Sequence, residues 1–147
     1  MSEMIENKLR EAFGEAVLDS FDVFGTLNIR INKDSLVDIC RFLHDEQGGG
    51  FNYLADLTPI DWQDKFEIIY QLRNLSENTK ITIRTYIDRD NAEVDSVIDI
   101  WSGADLQERE AYDLMGIHFN GHPDLRRILL PEDWVGHPLR KDYDFPT

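Results

Sequence analysis

FNYLADLTPIDWQDKFEIIYQLRNLSENTKITIRTYI, residues 51–87, alternates apolar and polar residues in three runs. FNYLADL puts Phe51, Tyr53, Ala55 and Leu57 on one face. FEIIYQL does the same with Phe66, Ile68, Tyr70 and Leu72, and ITIRTYI with Ile81, Ile83, Thr85 and Ile87. A period of two is the signature of a half-buried strand. Turn formers separate the runs: Thr58-Pro59 with Asp61, then Asn74 to Asn78. Links this short join antiparallel neighbours. Asp56, Asp61 and Asp64 sit at strand ends and read as turn formers rather than as a catalytic carboxylate set.

Working outward toward the start, residues 3–13 predict a helix with Ile5, Leu9, Ala12 and Phe13 on one face and Gly14 as its stop. Two strands are expected near 16–24 and 26–32. Asp34 has the chemistry of an N-cap for a second helix. Leu36, Ile39, Cys40 and Leu43 form its apolar stripe, and Gly48-Gly49-Gly50 its end. Cys40 then reads as a buried small hydrophobe, not a reactive thiol.

Toward the end, Val94, Val97, Ile98 and Trp101 share a helical face and predict a short helix. Ser102 with Asp105 approximates a capping box for the next helix, which Gly116 stops. Within that helix Arg109 and Asp113 are spaced i,i+4 beside Glu110, which reads as a solvated face worth about 0.2–0.5 kcal/mol. Together these elements make an α+β fold: two layers, a mostly antiparallel or mixed sheet with helices on one face. The expected domain is 1–118, followed by an extended irregular arm over 119–147 that binds a partner.

The composition narrows the function. The chain has 147 residues, the size of one domain, and a net charge of −14, which argues against nucleic acid or anionic lipid as the main partner. No apolar run spans a membrane, and the acidic start lacks the apolar core of a secretory signal. The single cysteine forms no intrachain disulfide and holds no cluster alone. An intracellular chain with no redox centre of its own is expected.

The last stretch differs from the body. Residues 101–147 hold nine acids and five bases, and the bases cluster as Arg126-Arg127 and Arg140-Lys141. Leu125, Ile128, Leu129, Leu130, Trp134, Leu139, Tyr143 and Phe145 make it too apolar for a solvated linker. Pro123, Pro131, Pro138 and Pro146 lower the entropy lost on ordering. Trp, Tyr and Arg are interface types, so an arm laid on another protein is expected. The alternatives are a tail wrapped over its own sheet, a metal held by His118 and His122, and a phosphate held by the arginines; neither ligand site has a supporting motif.

EREAYDLMGIHFNGHPDLRRILLPEDWVGHPLRKDY, Glu108 to Tyr143, closely resembles the signature of the thirty-kilodalton subunit of respiratory complex I. In bacteria this is the C subunit of NADH-quinone oxidoreductase; the J subunit of the chloroplast and cyanobacterial complex is similar. The resemblance rests on Glu108-Arg109-Glu110, Tyr112-Asp113, Gly116, His122-Pro123, Leu125-Arg126-Arg127, Pro131, Trp134 and Pro138 to Tyr143, including Arg140, Lys141 and Asp142. LADLTPIDW (54–62) resembles the family more loosely. Leu106 stands near the place where the family often has tryptophan, and Ser102 where it often has proline.

The resemblance implies a structural subunit of the peripheral arm of NADH:quinone oxidoreductase, on the cytoplasmic side of the membrane. It implies partners in the large quinone-cavity subunit and the terminal iron–sulfur subunits. It implies no catalytic residue and no flavin, cluster, quinone or metal bound by this chain. The related alternative is the equivalent subunit of a membrane-bound hydrogenase or a ferredoxin-dependent photosynthetic complex.

Overall fold

The computed structural model describes residues 2–143; Phe145 and Pro146 lie outside the described residues. In chain order the elements are α1 (Ser2–Phe13), β1 (Val17–Val23), β2 (Thr26–Ile31), α2 (Leu36–His44), β3 (Tyr53–Asp61), β4 (Lys65–Asn74), β5 (Thr79–Asp88), β6 (Glu93–Asp95), α3 (Ala104–Met115) and β7 (His118–Asn120).

β1 to β5 form one sheet in the order β1-β2-β5-β4-β3. The expected meander β3-β4-β5 is antiparallel throughout, and β1-β2 is an antiparallel hairpin. The two units join by a parallel pairing of β2 with β5, Asn28 to Ile31 against Thr82 to Thr85. The fold is therefore a mixed-sheet α+β domain. The inward faces of β4 and β5 carry the residues expected from the alternation, Phe66, Ile68, Tyr70 and Leu72 against Ile81, Ile83, Thr85 and Ile87, all buried. The buried stripe of α2, with Cys40, covers that face, and Leu9 of α1 reaches the same core, with Ile5 and Phe13 packed at its edge. Ala12, expected on the apolar face, is exposed.

Five local expectations change. A β-bulge between Leu54 and Asp56 resets the alternation of β3, so Leu54 and Leu57 point inward while Tyr53 is exposed. Asn32, not Asp34, provides the cap before α2: its side chain accepts from the Asp34 N–H at 2.9 Å. α2 ends at His44, and a single turn of 3-10 helix leads to Gly49 at φ 112. The segment 93–101 is not a helix. Glu93 to Asp95 pair with His118 to Asn120 as parallel β6 and β7, and Val94, Val97 and Trp101 are buried by that path instead. Ser102 and Asp105 form no side-chain cap; Gly103 holds the N-cap position of α3.

Candidate functional site

α3 carries the signature residues. Ala104, Glu108, Ala111 and Met115 recur every three or four residues and are buried as one stripe. Gly116 ends the helix in the left-handed region, φ 76. A Cβ there would lie 2.6 Å from Cδ2 of His137 and 3.0 Å from Arg140, so the position needs glycine on two counts.

Two carboxylates on α3 are fully buried. Glu108 accepts from the Ser96 hydroxyl at 2.6 Å and the Val97 N–H at 2.9 Å, which fastens the segment after β6 to the helix. Its burial pushes the carboxyl up, only partly countered by those donors and by nearby His122. Asp113 is the opposite case. Burial alone would raise it, but Arg127 at 2.7 Å and the N–H groups of Leu130, Leu129 and Ile128 hold it below the usual carboxylate range. Three consecutive N–H groups converging on one oxygen form an anion nest built from the arm itself.

From Gly121 to Tyr143 the chain has no helix or strand. It is nevertheless tied along its length to α3 and the sheet. Arg127 also donates to the carbonyls of Asp113, Trp134 and Gly136 at 2.9, 3.0 and 2.8 Å, so one guanidinium closes the loop between them. The last turn of α3 has unpaired carbonyls, as every helix end does. Here the arm supplies the donors: Nδ1–H of His137 to Asp113 O, the Leu139 N–H to Leu114 O, and Arg140 Nε to Met115 O at 2.7 Å. Arg140 also lies over the ring of Phe66, 5.1 Å from its centroid. Asp61 receives the Lys141 N–H at 2.9 Å and the Arg89 guanidinium, which in turn pairs with Asp142. Burial would raise Asp61, yet Arg89 and the N–H groups of Lys141 and Gln63 lower its carboxyl to about 2.

The structure thus brings together Asp113, Gly116, Arg127, Arg140, Lys141 and Asp142 as a latch, while Glu108, on the same helix, fastens the segment after β6; the other expected residues are spread around them. Arg109 turns from Asp113 to the carbonyl of Arg126, and Glu110 is exposed. Tyr112 packs near the ring of His137. His122 Nδ1 accepts from the Asp124 N–H, while its Nε2 lies 2.9 Å from Asp105 without hydrogen-bond alignment. Pro123 is exposed and Leu125 packs at the core edge. Arg126 pairs with Asp124 in solvent. Pro131 accepts from the Trp134 N–H, and the Trp134 indole donates to the Tyr143 hydroxyl at 3.1 Å. Pro138 is half-buried.

Three expectations need correction. The solvated helix face expected for Arg109, Glu110 and Asp113 does not hold for Asp113, because the arm brings four donors to it. The expected boundary between 118 and 119 cuts through β7, and Arg127 and Arg140, expected to grip a partner, are spent within the chain. Asp61 and Arg89 serve as arm anchors; Asp61 falls within the loosely matching LADLTPIDW stretch, and Arg89 lies outside every stretch that carries the resemblance. Their signal in the sequence is faint: a carboxylate that ends a strand, and a basic Arg140-Lys141 pair far along the chain.

The chain matches the model of the respiratory-chain NADH dehydrogenase 30 Kd subunit over residues 29–147. The C subunit of NADH-quinone oxidoreductase from Roseiflexus sp. (strain RS-1) is 41% identical over 138 residues, covering 92% of this chain and 79% of the relative. Its counterpart from Geotalea uraniireducens (strain Rf4) is 39% identical, covering 97% and 91%. A trypsin-resistant fragment (1-134) of Nqo5 superposes with TM-score 0.69 at 29% identity, covering 83% of this chain and 99% of the fragment. A chain of the membrane-bound sulfane sulfur reductase, an archaeal respiratory membrane complex, superposes with TM-score 0.81 at 25% identity, covering 97% and 85%. The chain belongs to the family of the 30 Kd subunit of respiratory-chain NADH dehydrogenase, which includes the C subunits of NADH-quinone oxidoreductase.

Proposed function

We propose that this subunit is non-catalytic and holds neighbouring subunits in place in the peripheral arm of an NADH:quinone oxidoreductase. It carries no flavin, cluster or quinone itself. It packs on the large quinone-cavity subunit and on the subunits holding the terminal iron–sulfur clusters, at the cytoplasmic side of the membrane. No helix among the described residues is long and apolar enough to cross a bilayer.

One observation supports this reading above the others. Glu108, Asp113, Arg127 and Arg140 are consumed in fastening the chain to itself, while Leu129, Val135 and Leu139 are turned outward. Acid–base and nucleophilic chemistry needs a group with a free face toward a substrate. A rigid loop with exposed apolar side chains instead suits a partner surface.

The test is complementation. Cells lacking this protein should lose NADH-dependent quinone reduction and assembled complex together, and both should return with the wild-type chain. The purified chain should carry no stoichiometric iron or flavin. Turnover by the isolated chain, or assembled but inactive complex in its absence, overturns the proposal.

The likeness to the archaeal membrane complex favours a second reading, the equivalent subunit of a related complex fed by another donor. Membranes enriched through a tag on this chain decide between them: NADH oxidation coupled to quinone supports the first, and its absence beside another donor's oxidation supports the second.

A further inference from the structure

The helices cover one face of the sheet, and the hairpin β1-β2 leads to a groove on the other. Its tip, Phe24-Gly25, has positive φ at both residues, 49 and 84, with Val23 paired to Thr26 across it. That is the two-residue turn that matches strand twist. Glycine takes the left-handed conformation freely, whereas phenylalanine rarely adopts it. Phe24 is also fully exposed. A large aromatic side chain held in solvent gains from being covered.

Beside it runs a groove of about 560 Å³ whose walls include Phe24, Ile69, Arg73, Lys80 and Arg84, and no Asp or Glu. This reverses the sign of the molecule, which has 29 acids against 15 bases. Arg84 is shared with Glu67 at 3.3 Å. Among the described residues Arg73 and Lys80 make no ion pair, and Arg73 Nε is buried without a hydrogen-bond acceptor.

We propose that this groove docks an acidic segment of a neighbouring protein subunit, with Phe24 covered by an apolar residue of that segment and Arg73 and Lys80 paired to its carboxylates. The proposal rests on the assembly role given above. Charge decides the occupant. A second copy placed face to face would oppose like charges at Arg73 and Lys80, and a small anion would leave Phe24 in water. An acidic, partly apolar protein segment satisfies both features.

A photo-crosslinking phenylalanine analogue at position 24, in the assembled complex, tests this together with Arg73→Glu/Lys80→Glu. The expected result is a crosslink from 24 to an Asp/Glu-rich segment of another subunit. Recovery of the double variant in the complex should fall about tenfold, with the isolated variant melting like wild type. If the double variant fails to fold, Lys80→Gln with Phe24→Ser takes its place. A crosslink to a second copy, to nucleic acid or to a base-rich segment overturns the proposal, as does normal recovery. A second analogue at Val135 separates the two readings. Crosslinks from 135 with silence at 24 overturn the groove alone, and silence at both overturns the assembly role as well.

Discussion

Asp113 and Arg127 meet at 2.7 Å with side chains 0% and 9% exposed, although they lie 14 positions apart in sequence. The pair is where helix and arm become one body. Asp113 uses one oxygen for the guanidinium and the other for three backbone N–H groups, so neither oxygen is spare.

Asp113→Asn should therefore be strongly destabilising. The amide replaces one acceptor by a donor, which leaves either Arg127 or the nest facing N–H groups. Removing one partner of a buried pair costs about 3–5 kcal/mol. Urea unfolding should register this, and trypsin should cut the arm faster. Arg126→Ala, whose partner Asp124 is in solvent, should cost about 0–1 kcal/mol. Equal effects at the two sites would mean that Asp113 and Arg127 do not latch the arm.

Gly116→Ala should destabilise by more than about 1 kcal/mol, because strain at positive φ adds to a clash with His137. Gly103→Ala meets no atom within 4 Å and should stay within about 0.5 kcal/mol of wild type. Thermal unfolding of the two variants provides the comparison.

Acid should release the arm. Asp61 and Asp113 have carboxyls lowered by folding, so their stabilisation is complete above the ordinary carboxylate range near pH ~4. It is lost as the pH falls toward about 2, where Asp61 is protonated in the folded chain. Glu108, raised by burial, has the opposite sign: acid favours its folded form, and it does not contribute to the loss. Trp134 fluorescence should change in that window, and Asp61→Asn should weaken the change. A transition centred above pH ~5 would point to other groups.

Cys40 should be inert. It is fully buried in the core, and burial pushes the thiol up. Alkylation in native buffer should track global unfolding, becoming rapid only in denaturant. Fast native labelling would mean that α2 opens locally.

The sheet is legible in the sequence because its inner residues follow a two-residue period that hydrophobicity alone reveals. Phe66 to Leu72 and Ile81 to Ile87 are the examples. β6 is hidden because Val94, Val97 and Trp101 also fit a helical period, and a three-residue strand is too short to separate the two. The parallel seam between β2 and β5 is not legible, since no local signal chooses a strand's distant neighbour. In the candidate site the signature residues stand out as letters, but their relations do not. Asp113 and Arg109 sit one helical turn apart, whereas the true partner of Asp113 comes from beyond β7. A carboxylate's distant donors leave no periodic trace.

The parallel seam has a kinetic consequence. Thr85 donates to the carbonyl of Ile31 across 54 positions of chain, whereas the hairpin and the meander each close over short turns. Loop closure must be completed before such distant contacts contribute. The two halves of the sheet are therefore expected to form early and independently, with the pairing of β2 onto β5 as the expected slow step. A substitution such as Ile29→Val at the seam should slow refolding, while one at the Asn74–Asn78 turn should act on an earlier event.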